Sequence, residues 1–275
     1  DFIHKPLSRP VLMARVRNHL LLHQTRRALQ NQNRGLEKMV AERTKKIEEQ
    51  SFELIRRTEQ LISAQSAIIS AFCSLVEARD NETGNHIRRT QHYVLTLCKK
   101  LSHHPRFSSE LSHTNIQLLF KSAPLHDIGK VAIPDHILLK PGKFTPEEWK
   151  IMQQHAQFGA DAIAAAEKEL GDDNASFLKY ARQIALTHHE KWDGSGYPRN
   201  LAGDEIPLAG RLMAVADVYD ALISKRIYKP PFPHHEAVDI MRKERGKHFD
   251  PDILDCMLEA EAQFADIARC FADPD

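Results

Sequence analysis

The stretch Leu208-Ala209-Gly210-Arg211-Leu212-Met213-Ala214-Val215-Ala216-Asp217-Val218-Tyr219-Asp220-Ala221-Leu222-Ile223 repeats its apolar residues with helical period. It places the Asp217 carboxylate among Leu212, Met213, Val215, Val218 and Leu222, where burial is costly unless the group is paired or bound to a metal. Outward from it, Thr90–Leu101, Asn115–His126, Pro146–Ala166, Phe177–His188, His234–Lys243 and Asp252–Phe271 share that period and are separated by Pro and Gly. Thr145-Pro146-Glu147-Glu148 has the chemistry of a helix start: a capping hydroxyl, Pro at the first position and acids at the positive end of the macrodipole. Val, Ile and Thr never alternate for long, so residues 80–275 are expected to form an all-α bundle.

Toward the N-terminus, Val11 to Arg79 contains no Pro and one Gly, Gly35, among good helix formers. Val40, Ile47, Leu54, Leu61, Ile68 and Leu75 repeat at seven, and Leu22, Leu29 and Leu36 begin a second row at seven. Residues 21–79 are therefore read as a coiled-coil helix that joins two copies of the chain. A helix of about 60 residues runs ~90 Å, longer than a single domain needs.

The 38 Lys+Arg against 37 Asp+Glu leave a formal charge of +1, without the basic surplus of a nucleic-acid polymer binder. No apolar run approaches the ~20 residues of a bilayer span, so no membrane helix is expected. The 4 Cys are scattered at Cys73, Cys98, Cys256 and Cys270, which fits a reducing cytoplasm better than a disulfide framework. The 16 His are out of proportion and need a use. The chain opens on Asp1 with no signal-peptide pattern, as expected of an internal piece of a longer protein.

Histidines and carboxylates recur in a pattern that packing does not explain. Glu82 and His86 are four apart, His126 and Asp127 are adjacent, His155 lies within an amphipathic helix, and His188-His189 end another. With Asp217 these are eight imidazole and carboxylate groups, the ligands of borderline and hard divalent metals, with no thiolate among them. Eight exceed one ion's needs, whereas two or three ions sharing a bridging carboxylate use them all, an arrangement suited to phosphoryl transfer.

The order of motifs resembles the HD-GYP family of HD-type metal-dependent phosphohydrolases: E-T-G-N-H at 82–86, H-D-I-G-K at 126–130, K-P-G-K at 140–143, T-H-H-E at 187–190, D-G-S-G-Y-P at 193–198, A-D-V-Y-D-A-L at 216–222 and F-D-P at 249–251. The resemblance implies an HD-type helical bundle over 80–275 that hydrolyses cyclic di-GMP to pGpG, and in many members onward to GMP, through a hydroxide bridging two or three metal ions, commonly iron or manganese. It implies Glu82, His86, His126, Asp127, His155, His188, His189 and Asp217 as metal ligands, with Asp127 the bridge and Glu82 the mark of a third ion. Lys130, Gly196, Tyr197, Arg226 and Lys229 match positions that hold the dinucleotide, with Lys130 also able to stabilise charge developing on phosphate. Arg226 offers phosphate a fork and Lys229 a point charge. Another cyclic dinucleotide as substrate, or a catalytically silent cyclic di-GMP sensor, are the alternatives.

Asp1-Phe2-Ile3-His4-Lys5-Pro6-Leu7, with a helix from Pro10 to Leu20, resembles the end of a response-regulator receiver domain. Residues 1–20 are accordingly expected to be a receiver remnant. That implies an upstream receiver, whose phospho-accepting aspartate precedes this chain, and a cognate histidine kinase.

Overall fold

Helix α1 runs Arg9–Asp80 through Gly35 without a break. The structure, a computed structural model, describes residues 8–80, 85–171, 176–224 and 231–272. The receiver-like residues 1–7 and the expected site residues Glu82, Arg226 and Lys229 lie outside the described residues. The chain divides into two units, one ending at Ala64 and one beginning at Gln65.

In the first unit the described chain is helix alone. The row at seven stands uncovered: Val40, Ile47, Leu54 and Leu61 are 62 to 72% exposed. One 18-residue window of this long helix reaches a mean hydropathy of 1.2, enough by length and composition to cross a membrane, with 11% of it buried. The expectation of no membrane helix rested on a continuous apolar run, and the window passes by its mean hydropathy alone. The apolar positions of a broad helical stripe add to the mean although they do not form a continuous run.

The second unit packs the last turns of α1 with α2 (Asn85–Leu101), α3 (His113–Ser122), α4 (Asp135–Leu138), α5 (Pro146–Leu170), α6 (Ser176–Thr187), α7 (Leu208–Ile223), α8 (His234–Lys243), α9 (Pro251–Glu259) and α10 (Glu261–Cys270). Among the described residues there is no strand, only two isolated bridges, so the architecture is all-α. Helix α7 is buried along most of its length, and its apolar stripe joins α2, α9 and α10 in the main core. There Tyr93 stacks on Phe264 at 4.6 Å, and Tyr219 stands nearly perpendicular to both rings. A second cluster sets Cys73 and Val76 of α1 against Leu125 and Ile128, on either side of His126-Asp127.

Helix ends differ from expectation at several places: α2 begins at Asn85 rather than Thr90, α5 runs on to Leu170 rather than Ala166, and two segments are cut short. The segment expected to run from Asn115 to His126 leaves the α-helix at Ser122, because Pro124 has no N–H to continue the ladder and disfavours helical geometry just before it. The segment from Asp252 to Phe271 breaks at Ala260 into α9 and α10, and nothing in the local sequence marks that break. At α5 the expected start is present in full: Thr145 and Glu148 bond each other's backbone N–H in a capping box, and Lys140 of the K-P-G-K stretch pairs with Glu148. Asp250 of F-D-P is buried, caps α9 through the N–H of Asp252, and accepts from Arg106 at 2.9 Å and Arg211 at 2.7 Å. Both stretches hold the bundle together.

Candidate metal centre

Beyond Pro124 the chain makes two short 3-10 turns, Ala123–Leu125 and Ile128–Ala132, and presents His126 and Asp127 between them. This turn lies directly on α5. A Cβ on Gly129 would meet the carbonyl oxygen of His155 at 2.0 Å and the amide nitrogen of Gly159 at 2.4 Å, so only glycine lets the two backbones approach this closely. Helix α5 supplies His155, the end of α6 supplies His188 and His189, α2 supplies His86 and α7 supplies Asp217.

Asp127 stands between two groups of ligand atoms. Its Oδ1 is 3.4 Å from Nε2 of His155 and 3.5 Å from Nε2 of His188. Its Oδ2 is 3.4 Å from Nε2 of His126 and 2.9 Å from the Lys130 ammonium. Nε2 of His86 faces Nε2 of His126 at 3.2 Å and Oδ1 of Asp217 at 3.9 Å. Asp127, His155, His188 and His189 form one group and His86, His126 and Asp217 the other, the ligand atoms of each lying within 4.8 Å of one another.

The backbone sets the tautomers. Nδ1 of His126, His155 and His188 lies 3.0, 2.6 and 2.9 Å from the carbonyl oxygens of Ala123, Met152 and Ile184. A carbonyl only accepts, so each Nδ1 carries a hydrogen, and in the neutral ring Nε2 is a lone pair turned inward. Among the described residues, Nε2 of His155, Nε2 of His188 and Oδ1 of Asp127 are buried with no hydrogen-bond partner. Three buried acceptors converging with no donor are costly, and a cation is the group that satisfies all three. Nitrogen and oxygen donors without thiolate suit divalent ions such as iron, manganese or zinc, so these residues fit a metal.

Charge is arranged to match. Burial lowers the pKa of His155 to about 4 and, together with the neighbouring His188 and His155, puts His189 well below its ordinary value. Both rings are neutral at pH 7, the ligating form. Burial alone would raise Asp127, but Lys130 and His126 outweigh it and hold that carboxyl well below the usual carboxylate range.

Two residues of this centre escaped the sequence reading. The buried carboxylate of α7 is Asp220, with a side chain 1% exposed, whereas Asp217 is 17% exposed. Asp220 lies 2.8 Å from Nδ1 of His86 and accepts from the Arg89 guanidinium at 2.7 and 2.9 Å. It fixes the His86 ring from behind while Arg89 balances its charge, and the two partners hold its pKa at about 2 against the opposing effect of burial. The signal was present: two carboxylates three apart on an apolar helix share a face, so one can support what the other ligates.

The loop after α6 folds back on the His188-His189 turn. Buried Glu190 accepts from the N–H groups of Arg199 at 2.7 Å and Leu201 at 3.1 Å. A Cβ on Gly196 would meet the Lys191 nitrogen at 2.3 Å, so this glycine serves close backbone contact. The Tyr197 N–H donates to the His189 carbonyl at 3.2 Å, and its ring stacks on His189 at 4.7 Å and 26°. Of the expected substrate-binding residues, Lys130 and Tyr197 therefore border the centre directly, and Gly196 shapes the loop.

The HD domain family model matches residues 18–253. A probable cyclic di-GMP phosphodiesterase of Vibrio cholerae is 49% identical over 273 residues, which are 99% of this chain and 58% of that protein. A cyclic di-GMP phosphodiesterase of the same organism is 56% identical over 200 residues, 73% of this chain and 40% of its own. A third Vibrio cholerae protein, 3'3'-cGAMP-specific phosphodiesterase 2, is 41% identical over 198 residues, 72% of this chain and 35% of its own. The chain thus spans 35 to 58% of the length of these curated relatives. The family match takes in every ligand of the centre, and with the ordered motifs from E-T-G-N-H to F-D-P it establishes that the chain belongs to the HD domain family, in its HD-GYP branch.

Proposed function

We propose that this chain is a metal-dependent phosphodiesterase that hydrolyses cyclic di-GMP to pGpG, with GMP as the product of a second cleavage where the reaction runs on. The observation that carries the reading is Asp127, whose two oxygens address two separate groups of ligand atoms and suit a bridge between ions. His155, His188 and His189 with one oxygen of Asp127 would hold one ion, and His86, His126 and Asp217 with the other oxygen a second; Glu82 is proposed for a third. When bound, such ions supply a nucleophile at neutral pH and draw charge from the phosphodiester, and iron or manganese are the proposed occupants.

The chain's own groups do the rest. Lys130 sits beside Asp127 and is placed to hold a non-bridging phosphate oxygen as negative charge grows on it. Tyr197 walls the centre on the His189 side. Arg226 and Lys229 are proposed to hold the second phosphate and a guanine. The names of the relatives at 49 and 56% identity support cyclic di-GMP, and that of the 41% relative makes 3'3'-cGAMP the second reading. An intact ligand set argues against a silent sensor. The exposed row on α1 supports a homodimer, and the receiver-like start supports a role as the output part of a response regulator.

The test combines elemental analysis and turnover on protein prepared without oxygen. Wild-type protein is expected to retain two or three ions and cleave cyclic di-GMP. Asp127→Ala is expected to lose the metal and all hydrolysis while its far-ultraviolet circular dichroism stays helical. Full activity in that variant, or metal-loaded wild type that binds cyclic di-GMP and leaves it uncut, contradicts the proposal.

A further inference from the structure

We propose that Trp149 and Tyr197 form a right-angled aromatic corner that receives one purine base of the substrate, with Trp149 a specificity-determining residue in contact with that base. This inference rests on the cyclic-dinucleotide reading above.

Trp149 lies on α5, six residues before His155, so one helix carries both the indole and a ligand of the centre. The indole stands 5.9 Å from the Tyr197 ring at 79°, close to perpendicular. Tyr197 in turn lies 4.7 Å from His189 and 6.4 Å from His155. A continuous aromatic surface therefore leaves the metal ligands, turns a corner at Tyr197 and reaches solvent at Trp149, which is 43% exposed. Phe144 backs the indole at 6.1 Å and 25°, limiting its tilt.

Packing covers the indole in part: Phe144, itself packed on the small core of Ile133, Ile137, Leu138 and Met152, lies along it, and 43% of the side chain stays exposed. That exposed part borders Tyr197 and offers a flat apolar surface to a ligand base. A cyclic dinucleotide fixes its bases at a set reach from its phosphates. With one phosphate at Lys130 and the metal ligands, a purine has the corner within reach, one ring offering a stacking face and the other closing its edge. A purine overlaps more of the indole face than a pyrimidine does and stacks more strongly, so the corner favours purines over pyrimidines.

The chain has 2 Trp, and the other, Trp192, is flanked by Arg106 and Arg211 at 5.1 and 5.7 Å from its ring. Indole fluorescence therefore reports on the corner once the signal of a Trp149→Phe variant is subtracted. In the metal-loaded protein, a hydrolysis-resistant phosphorothioate analogue of cyclic di-GMP is expected to quench the Trp149 contribution. Trp149→Ala and Trp149→Leu should each raise KM for cyclic di-GMP by roughly 5- to 150-fold, the range that base–aromatic stacking supports, with kcat and metal content near wild type. Trp149→Leu keeps apolar bulk without a flat face, which separates lost stacking from lost packing, and Trp149→Phe should restore most of the affinity. Wild-type turnover together with an unchanged KM in Trp149→Leu and no quenching overturns this inference alone. Metal-loaded wild type that neither binds nor cleaves cyclic di-GMP or 3'3'-cGAMP overturns the phosphodiesterase reading and this inference with it.

Discussion

The far nitrogen of the candidate ligand His86 rests on a carboxylate, whereas those of His126, His155 and His188 rest on backbone carbonyls. A charged acceptor makes the imidazole a stronger donor toward a cation, and removing such a support costs about 10–100-fold in metal affinity. Asp220→Asn is expected to show a loss of that size, read as metal retained after dialysis against a graded chelator. Asp220→Ala adds a second effect, because the buried Arg89 guanidinium loses its carboxylate and keeps only neutral acceptors such as the Phe271 carbonyl and the Ser224 hydroxyl; denaturant unfolding should register about 3 kcal/mol. Retention of wild-type affinity in both variants would show that Asp220 serves only Arg89. The pairing also shows the limit of sequence reasoning at this scale. The helical period put Asp217 and Asp220 on one face of α7 but could not say which one reaches solvent, and the residue singled out as buried is the more exposed of the two. That His86, His126, Asp127, His155, His188, His189 and Asp217 gather in two groups was legible from their order along the chain.

The last turn of α1 makes contacts of its own with the turn that carries the candidate ligands. Arg79 donates to the carbonyl oxygens of Lys130 at 3.1 Å, Val131 at 2.6 Å and Ile133 at 2.7 Å, and pairs with Asp135 at 2.7 Å. It clasps the stretch that follows the His126-Asp127 turn, so the backbone of Lys130 is held from the helix. Arg79→Ala is expected to speed amide hydrogen exchange across 131–138 and to lower kcat/KM about tenfold, the scale of one hydrogen bond to a charged group, while metal content is kept. Unaltered exchange in that stretch would refute the clasp. Helix existence was readable from periodicity almost throughout, and the start of α5 from Thr145-Pro146. Helix ends were less so. Pro124 carried its signal openly, whereas the break at Ala260 arises where neither Pro nor Gly stands and belongs to packing between α9, α10 and α2.

At the scale of the whole molecule, stability should depend on pH through histidines the fold keeps neutral. Burial lowers both His155 and His248 to about 4, in His248 with help from the Lys191 charge, against an ordinary value near 6.5. Both folded values are depressed, so below pH 6.5 the unfolded chain takes up protons that the folded chain refuses. Their contribution is complete above pH 6.5 and is lost as pH falls toward 4. Denaturant midpoints of the metal-free protein are expected to fall steadily over that window, with a shallower fall in His248→Gln; identical slopes would remove His248 from the account. All-α character was legible at this scale because strands leave an alternation that is missing here. The uncovered row on α1 was legible too, though not the short window whose hydropathy suffices for a bilayer. The contact at Gly129 has a last consequence. Where side chains set the gap between two ligands, thermal rotation and neighbouring substitutions change it, but here peptide backbone touches peptide backbone. The spacing of the two backbones is therefore fixed by contact, and under the proposed metal reading a bulky ion such as calcium, which needs longer bonds and more partners, is expected to compete poorly in a metal-exchange titration.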